Sequence, residues 1–492
     1  MLAQEAFLVR TGQACQSGAH GRPSVGFRLH VPQRGHIQQV KGNPVNADSA
    51  LALQRATVIK VAWRVLPLIV VSYLVAYIDR SNVAFAALTM NKDLGFSAYL
   101  YGWGAGIFFL GYALFEVPSN LVLVRVGARV WIARIMITWG IVSGLMAAVT
   151  GPASFLILRF LLGVAEAGFF PGVVLYFTYW FPARYRARVI AALYLAVPIS
   201  NAAAALISSA LLELDGTLAL KGWQWVFVGE AVPAVVLGVL VLRLLTDRPG
   251  LATWLQPEQR EWLEAELQAE SAQVQRSGRL GIFQALTDTR VLILAIVWML
   301  SLVPTYGITF FMPQVVKALG ATNSLAGILT AIPYAIGVFG PIAMGLSSDR
   351  FSERRWHYIG MMALAAVALA CAGASVASYW VVLALSVAAL GIYGSKPCFW
   401  PMPSQFLTGV AAAAGIALIN SIGNIGGYAG PLIVGWVKDT THSFEAGLYF
   451  LASCAFASAV LAFFGTRATA TTTLGVLRTG ARQIRDASYD AE

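Results

Sequence analysis

Seven ionisable side chains interrupt the apolar stretches of this 492-residue chain: Asp79, Arg80, Glu116, Arg159, Glu166, Glu230 and Lys396. At the middle of a bilayer each such group costs ~2.5–3.5 kcal/mol on insertion scales, so it needs a partner or a task. Four acids against three bases nearly cancel, as internal pairing would require. Asp79 and Arg80 are adjacent, and Tyr77, three residues before Arg80, shares its helical face. Arg159 and Glu166 stand seven residues apart, almost two full turns, and so project from one face ~10.5 Å apart along the axis. A base and an acid placed this way suit a site where a carboxylate and a proton bind near each other. A fixed ion-pair network bracing the helices is the structural alternative.

The other candidates are read by the same spacing. Tyr112 and Glu116 are four apart and share a face; Tyr112 can hydrogen-bond a small molecule. Glu116, just before Pro118 and the end of its span, is expected to gate or brace. Glu230, close to Trp223 and Trp225, reads as an interface residue. Asn420 and Asn424, also four apart, lie amid Gly423, Gly426 and Gly427. Small residues let helices approach, while the amides either bind ligand oxygens or bridge helices. Lys396 stands alone before Pro397 and Trp400: it either lines a cavity and attracts an anion or snorkels to the membrane surface.

The elements that must carry these residues follow from composition. With 58% hydrophobic and only 12% charged residues, mean hydropathy +0.69, 46 Gly and 14 Trp, the chain is a polytopic membrane protein. That excludes a soluble enzyme, a disordered protein and a nucleic-acid binder, despite the net charge of +11. Spans need about 20 apolar residues each. Twelve are expected, near 65–87, 99–122, 130–150, 153–178, 187–212 and 225–245, then 289–312, 325–347, 357–376, 379–402, 408–434 and 446–466. Alternate loops and both tails carry twenty-seven Lys and Arg, including Arg125, Arg129 and Arg350, against four on the other side, Lys92, Lys221, Lys317 and Lys438. The positive-inside rule therefore predicts cytoplasmic termini.

The organisation expected is a cytoplasmic tail over 1–60, disordered or preceding the true start, and a six-helix bundle over 61–245. A cytoplasmic connector with a short helix fills 246–286, a second six-helix bundle 287–466, and a cytoplasmic tail 467–492. Arg125 and Arg350 recur about 225 residues apart, as duplicated halves would have it. Six spans plus six with a central loop is the layout of the major facilitator fold, an all-α membrane architecture. Gly102, Gly104 and Gly106, and Gly168 with Gly172, read as close helix packing. No GxxxxGK[ST] is present, and neither a metal-ligand cluster nor a Ser/His/Asp arrangement is visible, so no cofactor, metal or enzyme activity is expected.

Over about 60–466 the sequence resembles the anion:cation symporters of the major facilitator superfamily, which include bacterial permeases for tartrate, sugar acids, hydroxyphenylacetate and phthalate. The stretches that carry the likeness are Tyr77-Ile78-Asp79-Arg80-Ser81-Asn82, Phe115 to Asn120 running on to Arg125 and Arg129, Arg159 to Gly172 with Glu166, and Gly345 to Arg350 with Asp349 and the Arg354-Arg355 pair. The resemblance implies proton coupling at Asp79 and Glu166 and contacts of Arg80 and Arg159 with those acids and with a substrate carboxylate. It implies a pocket shaped by Tyr77, Tyr112, Trp400 and Asn420. Lys396 departs from the family pattern and favours a second negative charge on the substrate. The expectation is a monomeric inner-membrane symporter that imports an organic carboxylate with a proton across the lipid bilayer. An exporter or exchanger of the same fold, or more distantly a non-transporting receptor, are the alternatives.

Overall fold

The computed structural model describes residues 47–276, 286–405, 407 and 409–465. Residues 1–46 and 466–492, and with them most of the expected tails, lie outside the described residues. Within them every regular element is a helix, as hydrocarbon requires of a chain whose backbone groups find no water. The first half contains α1 (Ala47–Leu94), α2 (Ala98–Val126), α3 (Ala128–Leu145), α4 (Pro152–Glu166), α5 (Phe169–Trp180), α6 (Ala183–Leu212) and α7 (Gly222–Leu244). The connector carries α8 (Pro257–Arg276). The second half contains α9 (Thr289–Lys317), α10 (Asn323–Gly337), α11 (Phe339–Arg350), α12 (Arg355–Ala374), α13 (Trp380–Phe399), α14 (Gly409–Thr441) and α15 (Glu445–Gly465).

Counting the broken segments α4–α5 and α10–α11 once each, these are twelve spans in two halves of six. Eleven are long and apolar enough to cross a bilayer, and α14, 33 residues long, is the twelfth. The first helix reaches back to Ala47, so residues 47–60, expected in the tail, are its opening turns. Helix starts are capped as their sequences dictate. Ser97 accepts from the Leu100 N–H, Asp288 from Arg290 and Thr322 from Leu325, each satisfying a donor the helix cannot.

Small residues set the packing. The halves meet along α2 against α14 and along α6 against α10. Gly102 and Gly106 sit on the backbone carbonyls of Pro431 and Tyr428, and Gly104 faces the ring of Phe155, leaving no room for a Cβ. We call the end bearing α8 the connector end and the opposite end the far end. At the far end the halves are sealed. Asp439 accepts from the Ala98 and Tyr99 N–H groups at 3.0 and 2.7 Å, the Tyr101 hydroxyl donates to the Phe310 carbonyl at 2.8 Å, and Ser324 donates to Glu213 at 2.7 Å. At the connector end α8 is tied to the first half through Arg186–Glu270 (2.8 Å) and Arg184–Glu266 (3.3 Å).

Candidate functional site

A cavity of about 1120 Å³, open mouth included, lies between the halves, walled mainly by α1, α2, α6, α9, α13 and α14. Arg80 occupies one side. Its guanidinium pairs with Glu166, donates to the Tyr306 hydroxyl of the opposite half at 3.3 Å, and lies over the rings of Tyr77, Phe108 and Tyr112 at 4.7, 5.2 and 5.5 Å. Arg80 is 9% exposed and Glu166 2%. The Arg80 Nε has no protein partner, so the cation retains donor capacity beyond its pair.

Glu166 reaches this point because its helix stops there. It is the last residue of α4, and Gly168 follows at φ +87° before α5 begins. The left-handed conformation suits glycine, and a Cβ would also strike Ser119. Gly168, expected to serve packing alone, is thus also a helix break.

The structure redistributes the expected pairs. Arg159 does not stack with Glu166 on the cavity wall. It is wholly buried beneath it, donating from Nε to the Gly104 carbonyl at 3.0 Å and from Nη2 to the Ala105 carbonyl at 3.3 Å, between the rings of Phe108 and Phe310. Spacing fixes a shared helix face but not which neighbour that face meets, and the carbonyls of α2 captured this guanidinium. Asp79 faces away from Arg80 into the first half, accepting from the Trp139 indole at 2.8 Å and the Ser143 hydroxyl at 3.2 Å. Glu230 is not an interface residue: it is 3% exposed and accepts from Ser208 at 2.6 Å, because it lies two turns inside α7, facing α6.

Tyr77, Tyr112, Trp400, Asn420, Asn424 and Lys396 all line the cavity. Asn420 donates to Glu116 at 2.9 Å, a hydrogen bond between halves that resolves one ambiguity toward bridging, while the buried Asn424 amide nitrogen has no protein partner. Lys396 does not snorkel. It is 7% exposed, donates to Ser301 and Thr305 at 3.3 Å each and sits 4.5 Å from the Trp298 ring. At the connector end the Arg129 N–H meets Asp247 at 2.8 Å, Asp349 pairs with Arg354, and Arg125 and Arg350 are exposed.

Sequence reasoning missed the α9 face that completes the wall. Ser301 and Thr305 are four apart in an apolar run and Tyr306 follows, the same signal that drew attention to Tyr112 and Glu116. It also missed Asn201, which donates to Tyr393 across the halves at 3.0 Å. No group of three or more His, Cys, Asp or Glu that could hold a metal occurs among the described residues.

Comparison with known proteins finds relatives along most of the chain. Residues 69–431 and 294–485 match the model of the Major Facilitator Superfamily. A protein of Agrobacterium vitis named "Putative tartrate transporter" is 52% identical over 405 residues, covering 82% of this chain and 89% of the relative. The "Quinolone resistance transporter" of Acinetobacter baumannii is 43% identical, covering 80% and 90% of the two chains. Among solved structures, a bacterial homologue of the human lysosomal transporter Spinster, inward-facing and occupied, superposes with a TM-score of 0.65 at 17% identity, over 82% of this chain and 96% of that one. A D-xylose-proton symporter superposes at 0.61 and 17% identity, over 82% and 97%. At such identities the structural likeness speaks for the fold.

Proposed function

The chain belongs to the Major Facilitator Superfamily, and on that premise we propose that it imports an organic carboxylate together with a proton by alternating access. The observation that carries the reading is the buried Arg80–Glu166 pair at the cavity wall. While Glu166 is ionised it occupies Arg80. Protonating Glu166 removes that competitor, and Arg80 then takes the incoming carboxylate through charge-assisted hydrogen bonds, the strong kind. Proton and substrate thus favour each other, and by linkage the coupling is reciprocal. Tyr77, Tyr112 and Tyr306 surround the guanidinium with rings and hydroxyls that orient a polar acid. Asp79, held by two neutral donors and off the wall, is the second proton site of this reading. Arg159 positions α4 against α2.

Two features support the inward direction. The far end is sealed by Asp439, Tyr101 and tight glycine contacts, while among the described residues the hydrogen bond between halves that lies furthest toward the connector end is Glu116–Asn420. The bias of Lys and Arg toward the connector end supports a cytoplasmic location for it and for both termini, in the inner membrane of a bacterium. Release of substrate into the cytoplasm is then the step next in line. The name of the 52% identical relative supports a hydroxy acid such as tartrate as cargo.

Uptake of labelled tartrate, galactonate, glucarate, hydroxyphenylacetate and phthalate into proteoliposomes, with and without an inside-alkaline gradient, tests the reading. Accumulation of one acid that a protonophore collapses is expected. The 43% identical relative named a quinolone resistance transporter supports an exporter or exchanger of the same fold as the second reading. Exchange of an acid indifferent to pH would favour that reading and overturn the first.

A further inference from the structure

The charges on the cavity wall do not balance. Of the described residues that line it, only Arg80, Glu166 and Lys396 are charged. Arg80 and Glu166 pair, which leaves Lys396. It is 93% buried by its 7% exposure, yet its recorded partners are two hydroxyls and an indole ring. The three other acids inside the spans are committed elsewhere: Asp79 to Trp139 and Ser143, Glu230 to Ser208, Glu116 to Asn420. The hydroxyl protons of Ser301 and Thr305 go to carbonyls of their own helix, at 2.8 and 2.7 Å. Their lone pairs therefore face the ammonium and hold it in place without neutralising it. A buried cation lacking a counter-ion is costly, and an apolar residue would pack the same position without that cost.

We propose that Lys396 is a second anion pole, and that the transported species is a short dicarboxylate dianion bridging Arg80 on the first half and Lys396 on the second. This rests on the carboxylate reading above. The two poles share one stretch of α9. Tyr306, which accepts from Arg80, lies five residues from Ser301, which accepts from Lys396, ~7.5 Å along the helix axis. A short carbon chain with a carboxylate at each end spans that order of distance. The charge arithmetic agrees. With Glu166 protonated, the two cations and a dianion sum to zero, whereas a monoanion leaves one of the two cations unmatched. One carboxylate on each half also ties substrate binding to the approach of the halves.

Binding by purified protein of tartrate and of its monoamide, which differ by one charge at nearly the same size, tests the proposal. Wild-type protein is expected to prefer the diacid at least tenfold, Lys396→Arg to keep that preference, and Lys396→Met to reduce it to near parity. Equal wild-type affinity for the two probes would overturn the dianion assignment, and this arm holds even if Lys396→Met fails to fold. A diacid preference undiminished in folded Lys396→Met would overturn the role of Lys396. Either result leaves proton-driven carboxylate uptake intact. That broader reading falls separately, if wild-type proteoliposomes show no carboxylate uptake dependent on the pH gradient, and the present proposal falls with it.

Discussion

Two arginines buried in neighbouring helices have different work to do, and the difference lies in their partners. Arg80 meets a carboxylate, a tyrosine hydroxyl and open cavity; Arg159 meets two backbone carbonyls and two aromatic rings. In the proposed cycle Arg80 makes the charge-assisted contact to substrate, so Arg80→Ala is expected to weaken acid binding roughly 10- to 100-fold, read by titration calorimetry. Arg159→Ala leaves the Gly104 and Ala105 carbonyls without that donor. It is expected to cost on the order of 2–4 kcal/mol of stability, read as a lowered Tm in detergent, with acid affinity in the surviving folded protein close to wild type. Abolished binding at unchanged Tm would reverse the two assignments. The sequence identified both residues as special because charge in an apolar run is conspicuous. It could not say which arginine Glu166 meets, because that depends on the rotation of α1 against α4, and no spacing rule within one helix reports it. Glu230 was misread for the same reason: nearby tryptophans indicate depth in the membrane, not the neighbour a side chain faces.

The elements turn these side chains into a device through their breaks and ends. The interruption at Gly168 brings Glu166 to a helix terminus inside the membrane, where the acid meets Arg80. At the far end the first turn of α2 is capped from the other half, by Asp439. A carboxylate on free N–H groups at a helix start is worth about 1 kcal/mol. Loss of this cap is felt only in the sealed state. Asp439→Ala is therefore expected to shift the population toward far-end opening by roughly fivefold. In a cysteine-free background carrying Thr309→Cys on the cavity wall, a membrane-impermeant maleimide added from the far side should then label faster. Unchanged labelling would mean that Asp439 is not part of the seal. Helix extents were largely legible from apolar runs. The Gly168 break was not, since GxxxG spacing serves packing and breaking alike.

At the scale of the whole molecule, the division into two halves of six spans was open to reading because it rests on totals: apolar runs of bilayer length and a lopsided distribution of Lys and Arg. The cavity wall was only half legible. Charged residues announced themselves, whereas Ser301, Thr305 and Tyr306 on α9 look ordinary until the fold turns them toward Lys396 and Arg80. The charge distribution predicts the topology. A cysteine at Glu261 in α8 should react with an impermeant maleimide only in inverted vesicles, and one at Thr217, in the far-end turn between α6 and α7, only in right-side-out vesicles. The opposite pattern would invert the proposed direction of transport. In the proposed cycle the proton acts on the pair joining α1 to α4, at the centre of the first half. Glu166→Gln keeps the size of that side chain and removes its charge and its proton, so it tests the central claim most directly. In proteoliposomes it should exchange the acid that wild-type protein carries, yet fail to accumulate it under an inside-alkaline gradient. Accumulation at the wild-type level by Glu166→Gln would contradict the account.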